Sequence, residues 1–214
     1  MKPKTLTVRG VATVSLPPDW IDLQLRLTTR AATYEQTLAE MEHQIQGVAT
    51  CLETIGFLKT EIKTQRLDVS LDREQVKNEA GDYEFVIIGY VAQCVQHLSF
   101  DLDLERLSQV VLALKHCSAH PEFDVTYRLK DRKRLHSLLL EAAMEQAIES
   151  ARVLATAGNV SLQSIHSIDY QGNAWVGGEH GRLLAVQDVT EKMELYPEEI
   201  EASDEVTVVF EIGD

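Results

Sequence analysis

Apolar side chains recur at every second position in two early stretches of the chain. Leu6, Val8, Ala12, Val14 and Leu16 hold even positions, and Ile21, Leu23, Leu25 and Leu27 hold odd ones. A period of two marks half-buried strands, each with one face on a core and one in water. Pro17-Pro18-Asp19 forms a hard corner between them, so the pair reads as a hairpin. The period then changes. Leu38, Met41, Ile45, Val48, Leu52 and Ile55 are spaced by three and four, the stripe of an amphipathic helix that Gly56 is placed to end. The same stripe suits a coiled-coil seam or a helix lying on a sheet. A third strand is expected around Ile62–Leu71, followed by a polar stretch, Asp72–Asp82, that ends in a hairpin turn at Gly81-Asp82. The fourth strand, about Tyr83–Phe100, is the longest.

Helical spacing returns at Leu104, Leu107, Val111 and Leu114, behind Asp103 as N-cap. Phe123–Leu129 alternates as a short strand. A long helix with an alanine-rich middle (Ala142, Ala143, Ala147 and Ala151) covers about Asp131–Ala157 and stops at Gly158-Asn159. A strand near Ser164–Tyr170 precedes a glycine-rich loop, Gly172–Gly181, and Val206–Ile212 closes the chain as a clear strand. The order is β-β-α-β-β-α-β-α-β-(loop)-β. Hairpins outnumber crossovers, which predicts an α+β fold with mainly antiparallel sheet and long helices packed on one side. Nothing in the composition resembles an interdomain linker. The expectation is one domain over 1–214, with the glycine-rich loop and an acidic segment at about 171–203.

Several of these segments, taken in order, resemble the SIMPL domain family. This is a group of mostly bacterial proteins of poorly defined function that includes periplasmic immunogenic antigens and YggE-like proteins. The resemblance rests on Val8-Arg9-Gly10-Val11-Ala12-Thr13-Val14 running into Pro18-Asp19, and on the stripe helix ending at Ile55-Gly56. It continues with Glu61-Ile62-Lys63-Thr64, Ile88-Gly89-Tyr90-Val91-Ala92, the alanine-rich helix from Ala142 to Ala155, Pro197–Ile200 and the last strand. Ala12 stands where the family often has a second glycine. The resemblance implies an α+β fold and, in some members, ring-like homo-oligomers. It brings no catalytic residues, because the family has no agreed active-site motif.

Charge narrows the function. The net charge is -14, which argues against a general nucleic-acid binder and against docking on anionic lipid. No apolar run approaches the roughly 20 residues needed to span a bilayer, and the first residues carry no apolar signal region. As written, the chain is expected to be cytoplasmic, or periplasmic if a leader was removed. Cys51, Cys94 and Cys117 are an odd number with no CxxC spacing, which fits reduced thiols better than a disulfide framework.

Candidate chemistry is thin. His116, Cys117 and His120 put three possible metal ligands within five residues, but no second cluster supplies a fourth, so a polar loop closing a helix is the plainer reading and no metal or other cofactor is expected. The most suggestive loop is Gly172–Gly181. Its glycines let backbone amides approach a ligand, Trp175 offers a stacking face, and Glu179 and His180 can titrate. It matches no phosphate-binding motif, and a mobile hairpin tip is the competing reading. Arg128, Lys130, Arg132 and Arg134 form a basic cluster at a helix start, where positive charge opposes the helix dipole. Between Asp188 and Glu205 lie eight acids and one base. That segment of one subunit facing the basic cluster of another would set register in an oligomer; solvated surface is the simpler alternative. No HExxH, P-loop or Ser/His/Asp signature appears. The expected function is therefore a non-enzymatic, self-assembling scaffold or envelope and stress-associated protein. A small-molecule or partner-binding module is second, and an enzyme with a dispersed site third.

Overall fold

The computed structural model describes residues 4–77, 82–172, the backbone of 175–176, and 196–213. In chain order they form β1 (Thr5–Leu16), β2 (Trp20–Ala31), α1 (Tyr34–Glu53), a 3-10 turn (Lys59–Glu61), β3 (Lys63–Lys77) and β4 (Tyr83–Asp101). There follow α2 (Leu104–Lys115), β5 (Glu122–Arg128), α3 (Arg132–Ala157), β6 (Ser161–Asp169), β7 (Trp175–Val176) and β8 (Ile200–Gly213). The strands make two antiparallel sheets, so the α+β class is correct. The elements divide between two compact units, each with its own sheet and helices.

The Pro17-Pro18 corner does not close a hairpin. β1 pairs with β8 along its whole length and β2 pairs with β4. Alternation reports the face each residue takes, not the strand beside it, and two prolines without N–H groups cannot complete a two-residue turn. Asp19 ties the corner down elsewhere: its N–H donates to the Arg128 carbonyl at 3.1 Å, and its Oδ1 accepts from the Lys130 N–H at 2.7 Å.

The first unit contains residues 4–19, 128–172 and 197–213. Its sheet runs β1-β8-β6, with β7 also paired to β8. β8 starts at Ile200, six residues before the expected Val206. α3 packs on one face, setting Leu135, Leu139, Ala143, Ala147 and Ala151 against Val8, Ala12, Ala202, Val206, Val208 and Phe210. The alanines bring helix and strand unusually close. A Cβ on Gly10 would stand 2.0 Å from the Ala143 carbonyl oxygen and 2.8 Å from the Ala147 nitrogen, so only glycine fits. The Val11 N–H donates to the Gln146 side chain of α3, which occupies a polar group of the strand. Asp131 caps α3 by accepting from the Arg134 N–H at 3.0 Å. At the other end Gly158 keeps a right-handed conformation, and Asn159, at φ 55°, makes the turn.

The second unit holds β2 to β5 with α1 and α2, within residues 20–127. Its sheet order is β3-β4-β2-β5. Ile21, Leu23, Leu25 and Leu27 of β2 and Ala92, Cys94 and Leu98 of β4 meet Met41, Val48 and Leu52 of α1 and Leu107, Val111 and Leu114 of α2. Thr33 and Asp103 cap the two helices through their side-chain oxygens. Gly56, at φ 90°, reverses the chain after α1, as its position in the sequence implied.

β3 and β4 extend past this core. β2 lies beside β4 only up to Tyr90, so residues 72–77 and 83–88 continue as a two-stranded arm. The stretch expected to be a polar connection thus contains strand as far as Lys77, because β4 supplies a partner beyond the sheet. The turn expected at Gly81-Asp82 falls largely outside the described residues.

Candidate functional site

Ile200, Ala202, Asp204, Val206, Val208 and Phe210 share the core face of β8, and all are buried. A carboxylate in that row loses its water, which is costly unless hydrogen bonds replace it. The Asp204 side chain is fully buried, at 0% exposure. Oδ2 accepts from the Tyr170 hydroxyl at 2.8 Å, and Oδ1 accepts from the Glu205 N–H at 2.8 Å. His136, one turn into α3, places Nδ1 3.8 Å from Oδ2 and Nε2 3.4 Å from the Tyr170 oxygen. Burial raises the Tyr170 phenol above its ordinary value; its hydrogen bond to Asp204 and the carboxylate charge raise it further. The phenol therefore stays protonated and keeps donating. A hydrogen-bonded chain runs from a half-exposed imidazole to a buried carboxylate, and it pins the residue that leads into Gly172 (φ 68°). The sequence contained one sign of this network. Asp204 has the parity of Val206, Val208 and Phe210, so it is a polar residue on an apolar row.

In the second unit Asp22, His97 and Ser99 also meet. The Ser99 hydroxyl donates to Asp22 Oδ1 at 2.8 Å, His97 Nδ1 lies 3.4 Å from the same oxygen, and Nε2 lies 2.7 Å from Gln65 Oε1. These are the residue types of a nucleophilic triad in the wrong order. Serine and histidine both face the carboxylate, and both ring nitrogens already have partners, so the imidazole is not placed to take the serine proton. The group is a polar staple across β2, β3 and β4.

All three cysteines are free thiols. Cys117 is buried in the core rather than turned toward His116 and His120 as a ligand set, and among the described residues no three His, Cys, Asp or Glu side chains gather as a metal site. Burial raises the Cys94 thiol. It also pushes Cys51 up to about 11, helped by a hydrogen bond to Cys117 and by the charge of that neighbour. No motif or spacing in the sequence points to this pairing.

Of the loop residues singled out for ligand binding, Glu179 and His180 lie outside the described residues, and only the backbone of Trp175 is described, in β7 opposite Ser203. Of the basic cluster, Arg128 ends β5, Lys130 lies in the connection, and Arg132 and Arg134 open α3. Lys130, Arg132 and Arg134 are exposed. The acidic segment is more divided than its composition suggested. Asp204 is buried in the network above, Glu205 pairs with Arg9, and Glu198, Glu199 and Glu201 face solvent. Asp188, Glu191 and Glu194 are outside the described residues.

Among the described residues, the arm carries a run of exposed apolar side chains. Tyr83 is 67% exposed and Phe85 70%, and Val86, Ile87 and Ile88 are exposed beside them. The β3 register sets Lys77, Gln75 and Arg73 opposite Tyr83, Phe85 and Ile87. Cross-strand partners share a face, so one face of the arm has an apolar row on β4 and a polar row on β3. No described helix is long and apolar enough to cross a membrane.

Residues 6–210 match a family model described as SIMPL, a protein of unknown function (DUF541). No curated protein matches the chain.

Proposed function

The chain belongs to the SIMPL family, whose function is unknown, and from that premise we propose that it is a self-assembling protein whose assembly surface is the arm of β3 and β4. The observation that carries this reading is the Tyr83–Ile88 edge. A two-stranded ribbon is marginal in water by itself, and an apolar strand edge with free backbone groups is a template for another strand. A second copy of the same edge is a fitting occupant. Antiparallel pairing about Phe85 places Phe85 beside its counterpart and Tyr83 beside Ile87, all on one face, with no like charges opposed. Each arm exposes about 500 Å² of apolar side chain, taking roughly 150–250 Å² for a whole aromatic residue.

The basic cluster (Arg128, Lys130, Arg132 and Arg134) facing Glu198, Glu199 and Glu201 of another subunit would add orientation to that contact. The two contributions respond oppositely to salt. Screening weakens the charged contact, whereas the apolar arm holds or strengthens, and light scattering across a salt series separates them. In the decisive experiment, the wild-type chain elutes as an oligomer in size-exclusion chromatography with light scattering, and Phe85→Glu/Ile87→Glu elutes as a monomer with an unchanged melting temperature. A wild-type monomer at micromolar concentration overturns the proposal.

A second reading is favoured by the network at Tyr170. Asp204 and His136 hold Tyr170, two residues before Gly172, which supports a firm base for a ligand-binding Gly172–Gly181 segment carrying Trp175. Tryptophan fluorescence titrated against classes of metabolites tests it, and an unchanged spectrum with every class counts against it.

A further inference from the structure

We propose that Cys51 and Cys117 form a dithiol–disulfide pair that closes when a small-molecule disulfide oxidises the protein. Cys51 lies in the last turn of α1 and Cys117 in the turn that follows α2; Cys51 packs against the core that contains Cys117, near enough for Cys117 to raise its pKa. One helical turn before Cys51, on the same face of α1, Gly47 abuts that turn as well. A Cβ there would lie 3.7 Å from both the Ala119 Cβ and the Ser118 Oγ, so the seam is already at contact distance along two successive turns. The Cys117 backbone is held from both sides. Its N–H donates to Leu114 at 3.2 Å, and its carbonyl accepts from the His120 N–H at 3.1 Å. The bond therefore joins two positions that folding has already brought to one seam.

The exchange runs in two steps. Cys117 is fully buried and Cys51 only partly so, so the Cys51 thiolate attacks first. It breaks the sulfur–sulfur bond of the oxidant, keeps one half as a mixed disulfide and releases the other half as a thiol. Cys117 then gives up its proton and attacks Cys51 Sγ, which expels the second half. Two protein thiols lose two electrons and two protons, and one small disulfide becomes two thiols. With Cys51 pushed up to about 11, roughly one molecule in ten thousand carries the thiolate at neutral pH. Closure is therefore slow, and its rate climbs about tenfold per pH unit up to that value.

The test is incubation of the full-length chain with oxidised glutathione at mildly alkaline pH, followed by alkylation of the remaining thiols and peptide mass spectrometry. The expected product is a peptide joining Cys51 to Cys117, with Cys94 alkylated. Because the bond closes a loop of more than sixty residues, the melting temperature of this form rises by roughly 10 °C. Cys117→Ser is expected to stop at a glutathione adduct on Cys51. Recovery of Cys51 and Cys117 both alkylated from the wild type overturns the proposal, provided the denatured chain forms disulfides in the same buffer. A bond from either residue to Cys94, or an identical adduct on Cys51 in wild type and Cys117→Ser, overturns it too.

Discussion

Replacing Gly10 by alanine should destabilise the first unit more than any other single methyl group added to β1. The new Cβ would stand 2.0 Å from the Ala143 carbonyl oxygen, against the 3.4 Å at which ordinary contact begins, so α3 must withdraw by about 1.4 Å. The obstructing atoms are helix backbone and cannot rotate aside. Withdrawal also opens the seam that Val8 and Ala12 make with Ala143 and Ala147. Overpacking costs about 1–3 kcal/mol in typical cores, and a clash with backbone belongs at the upper end. About 3 kcal/mol corresponds to a melting temperature lower by roughly 6–12 °C in a chain of this length. Urea unfolding followed by far-ultraviolet circular dichroism should show a lower midpoint with an unchanged slope. Gly47→Ala is the control of opposite sign. Its Cβ meets neighbours only at 3.7 Å, and alanine is the better helix former by about 0.8–1 kcal/mol. If Gly10→Ala lay within about 0.5 kcal/mol of wild type, well inside the range expected for an innocuous substitution, the close packing of β1 on α3 would be refuted.

Asp204→Ala leaves the Tyr170 hydroxyl and the Glu205 N–H without their acceptor, at an expected cost of about 2 kcal/mol; combined with Tyr170→Phe, the losses should not add, and a stabilised Asp204→Ala would contradict the network. Alkaline pH should weaken the fold. Cys51 is raised from 9.0 to about 11, so its contribution is complete below pH 9 and disappears as the pH climbs through 11, and Cys51→Ala should flatten that part of a stability–pH curve. Phe85→Cys should cross-link two copies on mild oxidation, because residues directly opposite in antiparallel strands lie within disulfide reach. Assembly without that cross-link would leave the arm as the interface but reject pairing about Phe85.

Much of the fold can be read directly from residue spacing. The alternation in β1, β2 and β8, the stripe of α1 and the alanines of α3 each follow from the local period, which depends on neighbours a few positions apart. Pairing is a different kind of information. Val8 alternates as well beside Val208, its partner, as it would beside a residue of β2, so the chain pattern could not separate the two sheets. The same distinction governs the sites. Asp204 was visible as a charge on an apolar row once β8 is carried back to Ile200, but Tyr170 and His136 belong to other elements and join it only through folding. Cys51 and Cys117 share no motif, and their contact depends on how α1 meets the turn after α2. The exposed row at Tyr83–Ile88 looked like ordinary strand because alternation cannot tell whether β2 reaches far enough to cover it.

The place of β8 has a consequence for biosynthesis. It is the strand between β1 and β6, yet it leaves the ribosome after both of them. The second unit's described elements lie within an unbroken stretch and can gather while translation continues. β1 emerges before all of them, but its partner strand begins only at Ile200, roughly 180 residues after Leu16. At about 5–20 residues per second, that delay is roughly 10–40 s, during which β1 has no strand to pair with. A chain cut short before Ile200 would release β1 without β8 to pair against, so the fourteen residues Ile200–Gly213 decide whether β1 becomes part of a sheet.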